Sequence, residues 1–249
     1  YEDMALNGQV KTFEDLIEAV LMKTKIPRIR LSSLEPIELT DKLLELYRND
    51  RLCPHFHMSI QSADTDVLVQ MKRKYSEFDV RASLNKIQNK MQNQMQNQMQ
   101  NAYVGMDVIA GFPTESDEQF ENTYKVLTET PWTRLHVFPY SERQGTRAAT
   151  LPQISMMKRK ERGRRLRELS LHRLQMEALK QIGTVKRVLV LNKWNPTSQG
   201  LSRDYWNVNM NLAEEEHALC KNSEVLIKIE SFILNDSDVI LMGKRASDG

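Results

Sequence analysis

Val104-Gly-Met-Asp-Val-Ile-Ala-Gly-Phe112 is a short apolar run that closes on a glycine and hands over to Pro113-Thr-Glu-Ser-Asp117. It carries the strongest strand signal in the chain. After it, Phe120, Tyr124 and Leu127 recur at helical spacing. Working upstream, His55–Ser62 alternates apolar and polar residues and reads as a second strand, and Asp64–Met71 follows it as a helix. Further back, Arg28–Pro36 reads as a strand that Pro36 ends, and Thr40-Asp41 caps a helix carrying Leu43, Leu44 and Leu46. Phe13, Leu16, Ile17, Val20 and Leu21 form a first helix, and downstream Leu135–Tyr140 is a fourth strand. Strand–helix alternation of this regularity implies an α/β domain with a parallel sheet. Four strands make half of an eight-stranded barrel or most of a six-stranded one.

Residues 155–182 read as one long helix, with basic residues at its start and an apolar stripe of Leu171, Leu174, Ala178 and Ile182. Gly183 is placed to end it. Beyond it the period falls to two. Val185–Leu191, Trp206–Met210, Val225–Ile229 and Val239–Met242 are candidate strands of a small all-β barrel. The expected organisation is thus a sheet domain at 1–154, a basic connecting helix at 155–182 and a β-barrel at 183–249. Met91–Asn101 (MQNQMQNQMQN) is a low-complexity tract, expected as a polar helix extension or a loop.

The chain has 249 residues, 40% apolar and 27% charged, with a net charge of +2, which is enough for a real core. No apolar run reaches membrane-spanning length, and no secretory leader is visible. The chain opens on Tyr1 rather than Met, which points to residues upstream. Its two cysteines, Cys53 and Cys220, form no metal-binding spacing, so no metal ligand set is expected within it. A reduced, cytoplasmic protein is the simplest reading. The Lys158–Arg167 block (KRKERGRRLR) suits nucleic acid or, as commonly, the solvated face of a helix.

Four strand ends carry polar groups: Ser32-Ser33-Leu34-Glu35-Pro36, His57–Ser62, Asp107–Glu115 and His136–Thr146. Ligands of parallel α/β folds bind at the carboxyl ends of strands, so these ends are the candidate site. The blocks RIRLSSLEP, CPHFHMSIQS, MKRKY, DVIAGFPTE and LHVFPYSERQGTRAA run in that order from about Ile26 to Ala149. Together they resemble the tRNA methylthiotransferases of the radical S-adenosylmethionine superfamily, closest to the branch acting on N6-threonylcarbamoyladenosine.

The resemblance implies a partial radical-S-adenosylmethionine barrel of TIM-like type, followed by a TRAM-like β-barrel that binds RNA. It implies S-adenosylmethionine as cofactor, and two four-iron clusters whose ligands, with the N-terminal half of the protein, would lie upstream of Tyr1. The implied reaction is methylthiolation of adenine C2 in tRNA. The implied cofactor residues are Glu35, Gln61, Ser62, Asp107, Ile109, Gly111, Phe112, Phe138 and Tyr140. Read as residues alone, Gln61 and Ser62 also suit a helix cap, Glu35 and Asp107 an ion pair with Arg30 or Arg143, and Tyr140 a packed core ring. The RNA set is Arg73 and Arg143, for which surface solvation is the alternative, Lys158, Arg159, Arg164 and Arg165 of the basic helix, and Lys186, Arg203 and Trp206 of the β-module, where cations mixed with aromatics suit phosphate and stacked bases. Catalytic residues are unassigned. Ala63 and Thr114 stand where the family favours glycine. The competing readings are a non-catalytic RNA-binding protein with a degenerate barrel, and an unrelated phosphate-binding barrel enzyme.

Overall fold

The computed structural model describes residues 3–4, 10–93, 102–194 and 197–246. A short antiparallel pair, β1 (Asp3–Met4) and β2 (Val10–Lys11), leads into helix α1 (Phe13–Lys23). Thr12 and Asp15 close a reciprocal cap at its start. The sheet module follows as β3 (Ile29–Leu34), α2 (Asp41–Leu46), β4 (Leu52–Gln61), α3 (Thr65–Gln70), α4 (Glu77–Asn93), β5 (Tyr103–Ala110), α5 (Asp117–Glu129) and β6 (Arg134–Pro139). The four strands are all parallel, in the order β3-β4-β5-β6. Thr40 caps α2, as expected. The MQNQ tract gives only its first residues, Met91–Asn93, to α4; the rest lies outside the described residues.

Side-chain alternation gives the sheet two different faces. Phe56, Met58, Ile60, Val104, Met106, Val108 and Leu135 are buried in one core with Leu43, Leu68, Leu84, Phe120 and Leu127 of the helices. Their sequence neighbours Arg30, Ser32, His57, Ser59, Asp107, Ile109, His136 and Phe138 take the opposite face and stay partly or fully exposed. Helices therefore cover one face, and the polar face is open toward the strand ends.

Helix α6 (Met156–Leu179) crosses from the sheet module to the β-barrel. Ser170 ties it to the outer strand: its hydroxyl accepts from Leu135 N–H at 2.9 Å and donates back to Leu135 O at 3.3 Å. Gly183 follows with φ +86°. The barrel is closed, in the order β10-β11-β9-β8-β7, from β7 (Val185–Trp194), β8 (Thr197–Ser202), β9 (Asn207–Met210), β10 (Glu224–Leu234) and β11 (Val239–Arg245). Strand β8 and helix α7 (Glu214–Cys220) are additions to the sequence-based expectation.

The barrel docks on the starts of the sheet strands. Arg28 donates to Leu201 O at 3.1 Å, Ser202 O at 2.9 Å and Glu224 at 2.9 Å. Arg134 pairs with Asp238 at 2.8 Å. Tyr205 inserts between Arg30, whose guanidinium lies 3.8 Å from the ring centroid, and His55, whose ring centroid lies 4.2 Å away. Burial there, reinforced by Arg30, pushes the His55 pKa down to about 3. No helix among the described residues is long and apolar enough to cross a membrane.

Candidate functional site

The open sheet face ends in a cluster built from three neighbouring strands. His57 of β4 and Asp107 of β5 meet, Nε2 to Oδ1, at 3.0 Å. The Ser33 N–H at the end of β3 donates to His57 Nδ1 at 3.2 Å. Because Nδ1 accepts, the imidazole proton is assigned to Nε2, which donates to Asp107. Ser33 sits at φ +61°, a left-handed conformation that points its N–H at the ring. His136, register partner of Asp107, lies edge-on to His57 with centroids 5.6 Å apart. Burial first, and Arg134 second, lower the His136 pKa, so it stands neutral at pH 7. Gly105 lies between the two imidazoles: a Cβ there would sit 3.6 Å from His136 and 3.8 Å from His57.

The nine cofactor candidates divide by location. Asp107, Ile109, Phe138 and Gln61 belong to the open face at the strand ends. Ile109 and Phe138 are register partners, Phe138 is 52% exposed, and Gln61 is half-buried at φ +57°. Glu35 lies at the rim in an ion pair with Arg73, neither Arg30 nor Arg143 being its partner. Ser62 turns to the helix side: its hydroxyl bonds Thr123 at 3.1 Å and accepts from Asp64 N–H at 3.2 Å. Phe112 is buried edge-on to Tyr140, centroids 5.5 Å apart. Tyr140 is half-buried, and its carbonyl accepts from Arg159 at 3.2 Å. Gly111 differs from expectation. Its φ of +75° favours glycine, but what closes on it is α6 rather than open ligand space, since a Cβ would lie 2.7 Å from Arg159 Cγ.

The RNA candidates need more correction. Arg159, Lys186 and Trp206 are buried, at 3%, 8% and 3% exposure, which withdraws them from any phosphate-contacting surface. Arg159 reaches Tyr140 O, Glu142 and Gln153. Lys186 pairs with Asp204, and Trp206 packs edge-on against Tyr103 at 5.2 Å. Arg203 binds Glu224 and the carbonyls of Asp50 and Pro27 across the junction. Lys158, Arg164 and Arg165 are exposed or half-exposed, but each faces a carboxylate: Asp117, Glu161 with Glu168, and Glu121. Arg143 is exposed and has no ion pair among the described residues.

Two residues outside both sets organise the loops. Glu115, buried in the loop after β5, accepts from Gly111 N–H at 3.0 Å and from Arg162 of α6 at 2.6 Å. Burial raises the Glu115 pKa against the pull of Arg162. Arg162 also donates to Glu115 O at 3.0 Å and Asp117 at 2.8 Å. The basic block of α6 is therefore largely a clamp on the strand-end loops. Thr114, at φ +67°, holds a β-branched side chain in the left-handed region.

The donor chemistry separates the implied cofactors. S-adenosylmethionine offers hydroxyl and ammonium donors and an adenine ring. The open face answers with the Asp107 Oδ2, which has no partner among the described residues, and with the apolar pair Ile109 and Phe138, so these residues fit it. A four-iron cluster needs thiolates. Cys53 is buried in β4 and Cys220 belongs to α7 of the barrel, and the described residues hold no group of three or more metal-binding side chains. The residues described here do not fit a cluster.

Comparison with known proteins adds an independent line. The chain is 40% identical over 183 residues to the threonylcarbamoyladenosine tRNA methylthiotransferase MtaB of Rickettsia prowazekii, covering 73% of this chain and 42% of that protein. It is 37% identical over 170 residues to MtaB of Aquifex aeolicus, with coverages of 68% and 40%. It is 34% identical over 192 residues to the tRNA-2-methylthio-N(6)-dimethylallyladenosine synthase of Actinobacillus pleuropneumoniae, with coverages of 76% and 39%. The chain thus spans about two fifths of the length of these relatives. Among solved structures, coproporphyrinogen III oxidase (HemN) of Escherichia coli, a radical S-adenosylmethionine enzyme, superposes with a TM-score of 0.47 at 14% identity, covering 78% of this chain and 55% of that one. No family model matches the chain.

Proposed function

Given that the chain belongs to the tRNA methylthiotransferase family, we propose that it forms the wall that seats S-adenosylmethionine and docks tRNA during methylthiolation of a modified adenosine. The observation that carries this reading is the 40% identity over 183 residues to an MtaB protein. The same alignment favours N6-threonylcarbamoyladenosine over dimethylallyladenosine as the substrate base. Residues 1–154 provide the cofactor wall, 155–182 the clamp, and 183–249 the RNA-binding barrel. The cluster ligands come from outside this chain.

Within the wall, Asp107 accepts a hydrogen bond from a cofactor hydroxyl or ammonium group. Ile109 and Phe138 offer apolar surface to the adenine, and Gln61 supplies amide hydrogen bonds at the adjoining strand end. S-adenosylmethionine seated here would supply radical or methyl-transfer chemistry, a separate molecule being consumed for each. Arg143, exposed at the rim, meets tRNA phosphate.

Deleting the gene and quantifying nucleosides of bulk tRNA by mass spectrometry tests the reading. Loss of the 2-methylthio derivative of threonylcarbamoyladenosine, with the dimethylallyl derivative unchanged, is expected. Loss of the dimethylallyl derivative alone reassigns the substrate, and an unchanged profile refutes the enzyme. The left-handed Thr114 in a turn where the family favours glycine supports one second reading, a degenerate barrel that binds RNA without catalysis. An unchanged profile with tRNA binding retained would favour it.

A further inference from the structure

The imidazole of His57 has both nitrogens committed. Nδ1 accepts from the Ser33 N–H at 3.2 Å, and Nε2–H donates to Asp107 Oδ1 at 3.0 Å. Neither nitrogen is left to move a proton or meet a ligand. The second carboxylate oxygen of Asp107 has no partner among the described residues, and the side chain is one-fifth exposed. One feature holds the ring itself. Ser33 presents its N–H from a left-handed residue, a conformation that costs a non-glycine residue energy and persists only where surroundings impose it. Gly105, the register partner of His57, lies between His57 and His136, where a Cβ would meet both rings at ordinary contact distance.

We propose that His57 is a positioning residue: braced by the Ser33 backbone, it fixes the Asp107 carboxylate so that Oδ2 accepts a hydrogen bond from a hydroxyl or ammonium donor seated at the strand ends. The inference rests on the reading that this face seats S-adenosylmethionine, and it assigns a role to a residue outside the candidate set. The donor is either a ribose hydroxyl or the methionyl ammonium. A carboxylate held in one rotamer loses no freedom on binding, which is how preorganisation raises affinity.

Two substitutions separate positioning from packing. Gln places its amide nitrogen near the position of imidazole Nε2 and keeps the arm to Asp107. Asn reaches only as far as Nδ1 and keeps the arm to Ser33. In the labelled 249-residue chain, NMR reads the His57 tautomer from long-range proton–nitrogen correlations and the Asp107 χ1 rotamer from three-bond couplings. The expected result is an Nε2–H tautomer, with Asp107 in one rotamer in the parent and in His57→Gln, and averaged in His57→Asn. An Nδ1–H tautomer, or the same Asp107 behaviour in both variants, overturns the proposal.

Titration with S-adenosylhomocysteine gives the second readout. Binding weakens by about tenfold in His57→Asn and in Asp107→Asn, and by no more than about threefold in His57→Gln, as expected for one hydrogen bond to a charged group. Equal weakening by the two His57 substitutions overturns the proposal. Separate titrations with adenosine and with methionine identify the donor: sensitivity of adenosine to Asp107→Asn assigns the ribose, and sensitivity of methionine assigns the ammonium. If the parent chain binds none of the three, the cofactor-wall reading fails, and the tautomer and rotamer data still decide the role of His57.

Discussion

Arg162→Met is the sharpest perturbation of the clamp between α6 and the loop after β5. The Arg162 side chain is 3% exposed and that of Glu115 is 2% exposed, so their 2.6 Å contact is a fully buried ion pair. The limb to Asp117 ends on a carboxylate 70% exposed, where solvent screens it, and it adds little. Removing the guanidinium strands the Glu115 charge with only the Gly111 N–H for company, a defect that costs about 3–5 kcal/mol. Most of that is the penalty of an unpaired buried charge rather than the worth of the pair. Glu115→Gln added to Arg162→Met removes the charge, keeps an acceptor for Gly111 N–H, and restores about half of the loss or more. Urea denaturation, followed in parallel by far-ultraviolet circular dichroism and tryptophan fluorescence, measures both and tests whether the two modules unfold together. A loss below about 1 kcal/mol for Arg162→Met, or a double variant no more stable than the single one, would refute this account of the clamp.

Acid destabilises the junction between sheet and barrel. The folded His55 pKa, about 3, lies below the ordinary 6.5, so the folded state refuses a proton that the unfolded chain accepts. Stability is full above about pH 6.5 and falls by about 1.4 kcal/mol per unit as pH drops toward 3; His55→Phe flattens the slope, and unchanged slopes in urea melts at pH 7.5, 6 and 5 argue against it. Thr114→Gly relieves a left-handed β-branched residue at the expense of chain entropy and one hydrogen bond to Gln70; a net gain of about 0.5–1 kcal/mol in the urea midpoint is expected, and a loss refutes strain there. Trp206→Ala costs about 3–5 kcal/mol because the ring fills the barrel's junction with Tyr103. Unchanged stability with weakened RNA binding would return Trp206 to the RNA surface.

Element order was readable because periodicity and caps are local. Thr40 and the glycine at 183 announce their helix boundaries within a turn of sequence. Strand β8 escaped because Thr197–Ser202 offers Ser, Gln and Gly in place of alternating apolar residues. It forms because Gly200 lets Val188 and Met210 close over it, a Cβ there falling 2.5 and 2.6 Å from them. Helix α7 escaped because three successive glutamates read as a charged patch; in place they occupy the first turn, where the helix dipole favours them. The site divides the same way. Strand ends were visible as polar breaks, but partnership was not. His57 and Asp107 are 50 residues apart, and Arg162 lies 47 residues from Glu115. A basic run reveals charge, and only the fold reveals that carboxylates from distant loops have already answered it.

Helix α6 has a consequence for how such a chain can change over time. Its arginines grip the loops at one end, while Leu174 and Ala178 enter the barrel's core at the other, about 22 and 28 Å along the axis from Arg159. One inserted residue between these stations would turn the far end by 100° and swing the barrel off the strands that it covers. Seven would nearly restore the phase, yet slide the barrel by about 10 Å. The helix therefore works as a ruler: its residues are free to vary where they face solvent, but its length is not.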